Sequence, residues 1–488
     1  MDMARGAVCC AIAIIAIMAV VTKFARTRPM YTRRPPPVVN GIAILKLLPK
    51  LFTKDLPAIM CDLHEKYGSV FTISLFGPKV TVLIGPEVLT HFFQGPELEI
   101  SRGNTFDFTV PMFGQGVLYG TDAATRNEQI RFFIEALKPS KLRSHVDPML
   151  QEVEDYFSKW GDEGIVDLKQ EFQKILMFIA SRCLLGKEVR EKMFDEVYAL
   201  WKDIKNAVNL FSALFPYVPV PVNKRRDRAR VELTKILSAT ARSRKSSNQV
   251  EEDTLQKLVD STYKDGRPTS EEEVTGLIIA LLFAGESTSS GTSTWIGACL
   301  LSNVKWLTAA TEEQRHIIRK YKGRIDYSVL LEMDTLHNCI KETLRMHSAA
   351  QVLMRKAHKQ FSVHTKEGKE YEIPARRTIL SPIMINSNIP SIFKDPHVYD
   401  PDRFGPNRQE DKVCGKFSYT SFGCGRFACI GESFAYLQMK VIWSHLLRNF
   451  ELKLISPFPK TDWSKLSVEP KGKVMVSYKR RGYLAPNL

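Results

Sequence analysis

The stretch Phe422-Gly-Cys-Gly-Arg-Phe-Ala-Cys429-Ile-Gly431 restricts the fold more than any other part of the chain. Three glycines in ten residues permit a tight turn with its backbone packed close to something, and helical periodicity begins directly afterwards, over Glu432 to Asn449. A helix start and a neighbouring cation both lower a thiol pKa, so Cys429 beside Arg426 has the makings of a thiolate that binds iron. Read instead as Gly423-x-Gly425-x-x-Ala428, the stretch would be a dinucleotide loop, which needs a buried strand before it and an acid about twenty residues later. No acid lies between Ser433 and Phe450, and that reading fails. A buried structural cysteine is the other alternative, to be decided by the surrounding pattern.

Composition narrows the class. Of 488 residues, 44% are hydrophobic and 25% charged, enough for a large core and too polar for a polytopic membrane protein. The nine cysteines are irregularly spaced, with no CxxC pair and no HExxH, which argues against a disulfide framework and a zinc site and for a reducing compartment. The net charge of +16 favours an acidic partner or a negatively charged membrane face, and no feature singles out nucleic acid.

From Gly6 to Thr22 there is no charge, a run that would make a helix of roughly 25 Å, near the lower limit for spanning a bilayer. It passes straight into Lys23 and Arg26 without a small-residue cleavage site, which favours an anchor over a cleaved signal peptide. Lys23, Arg26, Arg28, Arg33 and Arg34 follow the run and only Arg5 precedes it, so the positive-inside rule leaves the body cytosolic. The expected organisation is a membrane anchor over 1–22, a basic and proline-rich linker over 23–41 with Pro35-Pro36-Pro37 as a stiff spacer, and one catalytic domain over 42–488.

Within that body, Val70 to Phe76 and Lys79 to Ile84 read as a β-hairpin around Gly77-Pro78. Glu128 to Leu137, Gln151 to Trp160, Leu168 to Leu185 and Met193 to Phe215 carry helical periodicity, and the body is expected to be mainly α with small β-sheets. Thr269 at the N-cap and Glu272 three positions on make a capping box for a long helix running to about Leu301. Inside it, Gly285-Glu286-Ser287-Thr288-Ser289-Ser290-Gly291 is disfavoured by helix propensity and implies a local distortion. Phe211 to Val222 is apolar and proline-broken, followed by Lys224-Arg225-Arg226; an ordinary surface loop and a loop dipping into an anionic interface both fit. The polar stretch Ser243 to Glu252 is the expected break in rigid structure.

The cysteine loop, with Phe422, Gly425 and Arg426 before Cys429 and Gly431 after it, resembles that of the cytochrome P-450 superfamily. Two further motifs of that superfamily stand upstream in order, Glu342-Thr-Leu-Arg345 and Pro401-Asp-Arg403-Phe404. The resemblance implies a cytochrome P-450 fold behind the anchor, haem b ligated by Cys429, and a Glu342, Arg345, Arg403 triad that is buried and structural. Spacing supports the triad, since Glu342 and Arg345 lie three apart on one helix face. The resemblance further nominates Arg426 in the loop, Arg355 and Arg131 as cation partners of haem propionates, Phe422 in the loop as a cofactor-binding residue, and Ala284-Gly285-Glu286-Ser287-Thr288 as the oxygen-activation segment. Thr288, Ser287 and Glu286 are then the candidate catalytic residues, with Thr288 passing protons. A thiolate ligand pushes electron density onto iron and favours O–O cleavage. Gly285-x-Ser287 is not a hydrolase elbow, because Ser289 stands where a glycine is needed.

More narrowly, Phe108 to Gly114, Arg131 to Leu137, Arg225 to Arg230, Gly266 to Thr269 and Phe434 to Gln438 look like sterol 14α-demethylases of the green-plant type, and the likeness extends over nearly everything after Pro35. The departures are Glu286-Ser287 in place of Gln-His, Phe106 in place of tyrosine, a change near Gly120, where an aspartate is usual, and Met346-His-Ser-Ala349 in place of Leu-His-Pro-Pro. Phe106, Phe113 and Ala284 are the candidate pocket residues. The changed lining leads to the expectation of a diverged enzyme that hydroxylates or epoxidises a pentacyclic triterpenoid of the β-amyrin type in specialised metabolism, with obtusifoliol 14α-demethylation in sterol biosynthesis as the alternative. A haem-thiolate isomerase is disfavoured by the presence of Thr288, and a non-catalytic haem-binding scaffold draws some support from Ser287. The expected partners are an NADPH-dependent flavoprotein reductase, which passes NADPH electrons to the haem and would dock on the basic surface, and membrane lipid. The expected setting is the endoplasmic reticulum membrane, single-pass.

Overall fold

The computed structural model describes residues 34–39, 56–74, 79–247, 251–463 and 467–482. The expected anchor and most of the expected linker lie outside the described residues, as does the tip of the hairpin at 75–78. The described chain divides into two compact units, one built from Met1–Phe106, Lys341–Cys429 and Asp462–Val468, the other from Asp107–Ile340, Ile430–Thr461 and Glu469–Leu488.

The first unit is organised by a six-stranded sheet in the order Val38–Val39, Val70–Ser74, Lys79–Leu83, Thr378–Pro382, Val352–Ala357, Ile100–Ser101. The expected hairpin is its centre, paired antiparallel with Val70 opposite Leu83 and Phe71 opposite Val82. Successive residues of a strand face opposite sides. Val70 and Leu83 pack with Phe92, Phe93 and Ile379 on one side, and Phe71 and Val82 with Ile59, Leu63 and Ile385 on the other. Both faces are therefore covered, which is why these strands read as β-branched and aromatic runs. Arg34 to Val39 are not a free spacer: the Pro37 carbonyl accepts from Thr72 N at 2.8 Å, Glu372 N donates to the Arg34 carbonyl at 3.0 Å, and Val38–Val39 joins the sheet parallel to Val70–Ser74. Prolines lack an N–H, and an edge position is where a sheet tolerates that.

The second unit is mainly helical. Its axis is the helix Glu271–Leu301, 31 residues and about 46 Å long. Among the described residues it is the one helix long and apolar enough to cross a membrane, but 67% of its most apolar window is buried in protein, which makes it a core helix. The N-cap is Ser270, one residue beyond the expected Thr269: Ser270 accepts from Glu273 N and the Glu273 carboxylate accepts from Ser270 N. Thr269 is withdrawn from capping because its hydroxyl donates to the Leu258 carbonyl at 2.7 Å. The helix is also unbroken through the hydroxyl-rich segment, contrary to the expected distortion. Thr288 and Thr294 donate to the carbonyls four residues earlier, Ala284 and Ser290, so their hydroxyls are satisfied without breaking the ladder. Gly297 marks a close packing point; a Cβ there would lie 2.6 Å from Leu168 and 3.1 Å from Trp443.

The other expected helices form with altered ends. Leu168–Ala180 passes into a wider π turn over Ser181–Leu185. The run Met193 to Phe215 is split into Phe194–Asn206 and Leu210–Leu214, because the Asn209 side chain accepts from Ser212 N and starts a new helix. Pro221–Ser246 is a single helix, and Glu432–Asn449 occupies the expected span. A three-stranded antiparallel sheet, Phe450–Leu454, Met475–Arg480, Glu163–Asp167, closes the unit.

Three histidines, His145 buried and His347 and His445 half-buried, are held neutral by desolvation of the ring. Desolvation, with Lys141 adding to it, lowers His145 to about 4. Desolvation with Arg448 and Arg480 lowers His445 to about 3, and desolvation with Arg345 lowers His347 to about 3. In the unfolded chain each returns to about 6.5, so below that pH the unfolded state binds more protons and stability falls as pH falls, by about 1.4 kcal/mol per pH unit for each group. Chemical denaturation between pH 7 and 5 should show this loss. His445→Phe, which keeps the ring stacked on Phe157 and removes the titration, is expected to reduce the slope by about one group's share.

Candidate active site

In the first unit the loop before Cys429 is fixed by glycines in the left-handed region, Gly423 at φ 71° and Gly425 at φ 58°. A Cβ on Gly425 would sit 2.5 Å from the Phe93 carbonyl oxygen, and one on Gly423 would sit 2.7 Å from that of Phe427. The close approach read from sequence is thus an approach to backbone. Cys429 N donates to the Phe422 carbonyl at 2.7 Å, closing the loop, and the Cys429 side chain is exposed. A thiol presented this way, at the end of a loop and not in a core, is a ligand geometry.

The cations gather two residues away. The Arg355 guanidinium, 4% exposed, lies 3.8 Å from the centre of the Phe427 ring and donates to the Met354 carbonyl. Arg426 lies 5.3 Å from that ring, and Arg102 5.6 Å from it. Arg426 also donates to the Gly95 carbonyl and, at 2.7 Å, to the Glu97 carboxylate. Three guanidinium groups around one aromatic ring, beside an exposed thiol, form a donor set suited to an anionic, planar iron complex. The residues present fit haem. Arg102 was missed in the sequence because no motif surrounds it; only the fold brings it to Phe427. Arg131 belongs to the second unit, is 45% exposed, donates to the Thr262 carbonyl at 3.1 Å and lies 3.6 Å from Glu128.

Glu342, Arg345 and Arg403 meet in one buried network. The Glu342 carboxylate accepts from Arg345 Nε at 2.8 Å and Nη2 at 2.9 Å, from Arg403 Nε at 2.9 Å, and from Asp400 N at 3.0 Å. The remaining guanidinium donors go to the Ser387, Pro396, Lys394, Asp395 and Val398 carbonyls and to Glu410. Tyr419 and Ser421, just before Phe422, donate to the Lys341 and Leu344 carbonyls on either side of Glu342.

In the second unit, Ala284 and Gly285 are exposed and Thr288 half-buried on an otherwise buried helix, and a Cβ on Gly285 would meet nothing within 4 Å. Positions 284, 285 and 288 share one helix face. The next residues turn the other way. Glu286, 4% exposed, is ion-paired to Lys205 at 2.6 Å, and Ser287 Oγ donates to the same carboxylate oxygen at 3.0 Å. Phe113 is buried, packs edge-on to Phe283 with centroids 5.8 Å apart, and its carbonyl accepts from Arg230. Phe106 is half-buried in the first unit.

The Cytochrome P450 family model matches residues 35–476. The chain belongs to the cytochrome P450 family. This P450 is 51% identical over 455 residues to an obtusifoliol 14-alpha demethylase of Sorghum bicolor, covering 93% of this chain and 92% of that one. It is 52% identical over 426 residues to a sterol 14-demethylase of Arabidopsis thaliana, covering 87% of each, and 33% identical over 457 residues to a lanosterol 14-alpha demethylase of Bos taurus, covering 93% of this chain and 89% of that one. The solved structure of a retinoic acid-bound cyanobacterial CYP120A1 superimposes with a TM-score of 0.75 at 20% identity over 92% of this chain and 100% of that one, a likeness of fold. The P450 is accordingly a haem monooxygenase that takes NADPH electrons through a reductase.

Replacing Gly425 with alanine should force the loop off the Phe93 carbonyl and lower the haem-to-protein ratio several-fold. Gly161→Ala, where a Cβ meets only the Glu163 carbonyl at 3.9 Å, should leave it unchanged. The ratio of haem to protein absorbance reads both.

Proposed function

We propose that this P450 removes the 14α-methyl group of a sterol of the obtusifoliol type. The observation that carries this reading is identity of about half over nearly the whole chain to plant enzymes named for that reaction, from both Sorghum and Arabidopsis. It outweighs the expectation of a pentacyclic triterpenoid substrate, which rested on a few changed positions. Those positions keep the pentacycle as a second reading, and the ion-paired Glu286-Ser287 segment is what favours it.

When bound, haem supplies iron for dioxygen activation with electrons from the reductase. The chain's own residues have separate tasks. Cys429 offers the thiolate; Arg355, Arg426 and Arg102 offer cations to the propionates. Arg131, in the second unit, is proposed for the same task. Ala284 and Gly285 leave open space on their helix face, and Thr288 holds a hydroxyl proton on it beside the carbonyl of Ala284. Glu342, Arg345 and Arg403 hold the backbone that carries the loop. Residues 1–22 serve as a single-pass anchor that keeps the body on the cytosolic side of the endoplasmic reticulum membrane.

Membranes holding this P450 and a reductase, fed separately with a 14α-methyl sterol and a pentacyclic triterpene alcohol, test the substrate. Loss of the C-14 methyl, with the pentacycle untouched, is expected; a hydroxylated or epoxidised pentacycle with intact sterol would overturn it in favour of the second reading. Removing residues 2–22 is expected to move the protein from the alkaline-washed membrane pellet to the supernatant.

A further inference from the structure

Gln129, in the helix Ala123–Ala136, has no exposed surface, and both polar atoms of its amide are engaged. Its Oε1 accepts from Leu118 N at 2.7 Å, and its Nε2 donates to the Gly116 carbonyl at 2.8 Å and to the Tyr263 hydroxyl at 2.9 Å. Tyr263 in turn donates to the Glu273 carboxylate at 2.9 Å, which also accepts from Ser270 N in the capping box and from both terminal nitrogens of Arg267. The direction of this chain is fixed. A carboxylate only accepts, so the Tyr263 proton points to Glu273 and its oxygen is left to receive Nε2; that choice turns Oε1 towards Leu118. Burial and the Glu273 charge together raise the phenol, which keeps that proton in place.

What Gln129 grips is a segment that would not keep its shape unaided. Gly114, Gly116 and Leu118 have positive φ, at 107°, 78° and 46°, and for leucine this is strained. The segment begins at Phe113. Its carbonyl accepts from Arg230 and would collide with a Cβ on Gly276, and its ring lies edge-on to Phe283, the residue just before the open helix face of Ala284 and Gly285. We propose that Tyr263 is a positioning residue for the substrate, holding residues 113–120 through Gln129 in the shape that sets Phe113 against Phe283. The inference rests on the reading of Phe113 and Ala284 as pocket residues. Without the hydroxyl, the Gln129 amide loses the bond that fixes its direction, Leu118 relaxes, and the wall offered to a polycyclic substrate loosens while the cysteine loop is left as it is.

Tyr263→Phe keeps the ring edge-on to Phe132 and beneath the Arg267 guanidinium and removes only the hydroxyl. In the haem-loaded full-length protein it is expected to weaken binding of a 14α-methyl sterol several-fold, read from the shift in haem absorbance, and to raise KM with kcat nearly unchanged. Imidazole, too small to touch the wall, should bind as before. Hydrogen exchange over residues 113–120, followed by mass spectrometry, should quicken several-fold. Tyr321→Phe, which removes a phenol from the exposed carboxylate of Glu332, should change none of these. Gln129→Met should weaken the sterol in the same way, and adding Tyr263→Phe to it should bring no further loss. Unchanged sterol affinity or unchanged exchange in Tyr263→Phe, an equal loss for imidazole, or additive losses in the double variant would each overturn the proposal. Should neither the sterol nor a pentacyclic triterpene alcohol shift the haem absorbance of the unsubstituted protein, the substrate reading fails alone, because exchange over residues 113–120 still decides whether Tyr263 holds them.

Discussion

Glu342 and the two arginines that hold it have side chains with no exposure at all, so their hydrogen-bonding capacity must be met inside the protein. Removing one partner of such a buried pair costs about 3–5 kcal/mol because the other is left charged and unpaired. Here the balance is complete: two guanidinium groups face the carboxylates of Glu342 and Glu410, and the spare N–H groups are absorbed by five backbone carbonyls between residues 387 and 398. A segment without regular structure is thereby given one conformation. Tyr419 and Ser421 then tie the chain ahead of Phe422 to the carbonyls flanking Glu342, so the position of the cysteine loop descends from a charged network that never touches it.

The long helix solves a different problem. Hydroxyl residues and glycine weaken a helix, yet a face that must stay open and polar needs small side chains. The chain reconciles the two by turning the threonine hydroxyls back onto the ladder and by burying the opposite face, where Gln438 donates to Ser289 at 2.6 Å. Tertiary packing, with Leu168 and Trp443 drawn against Gly297, maintains what local propensity would loosen.

Much of this was legible because it is local. The hairpin about residue 77, the helix after Cys429 and the glycine turn each follow from a few consecutive residues, and the triad from two short motifs in order. What escaped was decided by partners distant in sequence. Thr269 resembles a cap as well as Ser270 does, and only the Leu258 carbonyl settles the choice. Arg34 to Val39 look like a spacer until Thr72 and Glu372 offer N–H groups. Arg102 and Lys205 stand in no motif. The hydroxyl cluster does not distort the helix, since sequence shows the liability of such residues and not the carbonyls that relieve it.

Arg426 already grips Glu97 and the Gly95 carbonyl. The glycine turn is thereby tied, through its arginine, to a segment 329 residues earlier in the chain, so that a change at Glu97 would be felt at the loop that presents the thiol.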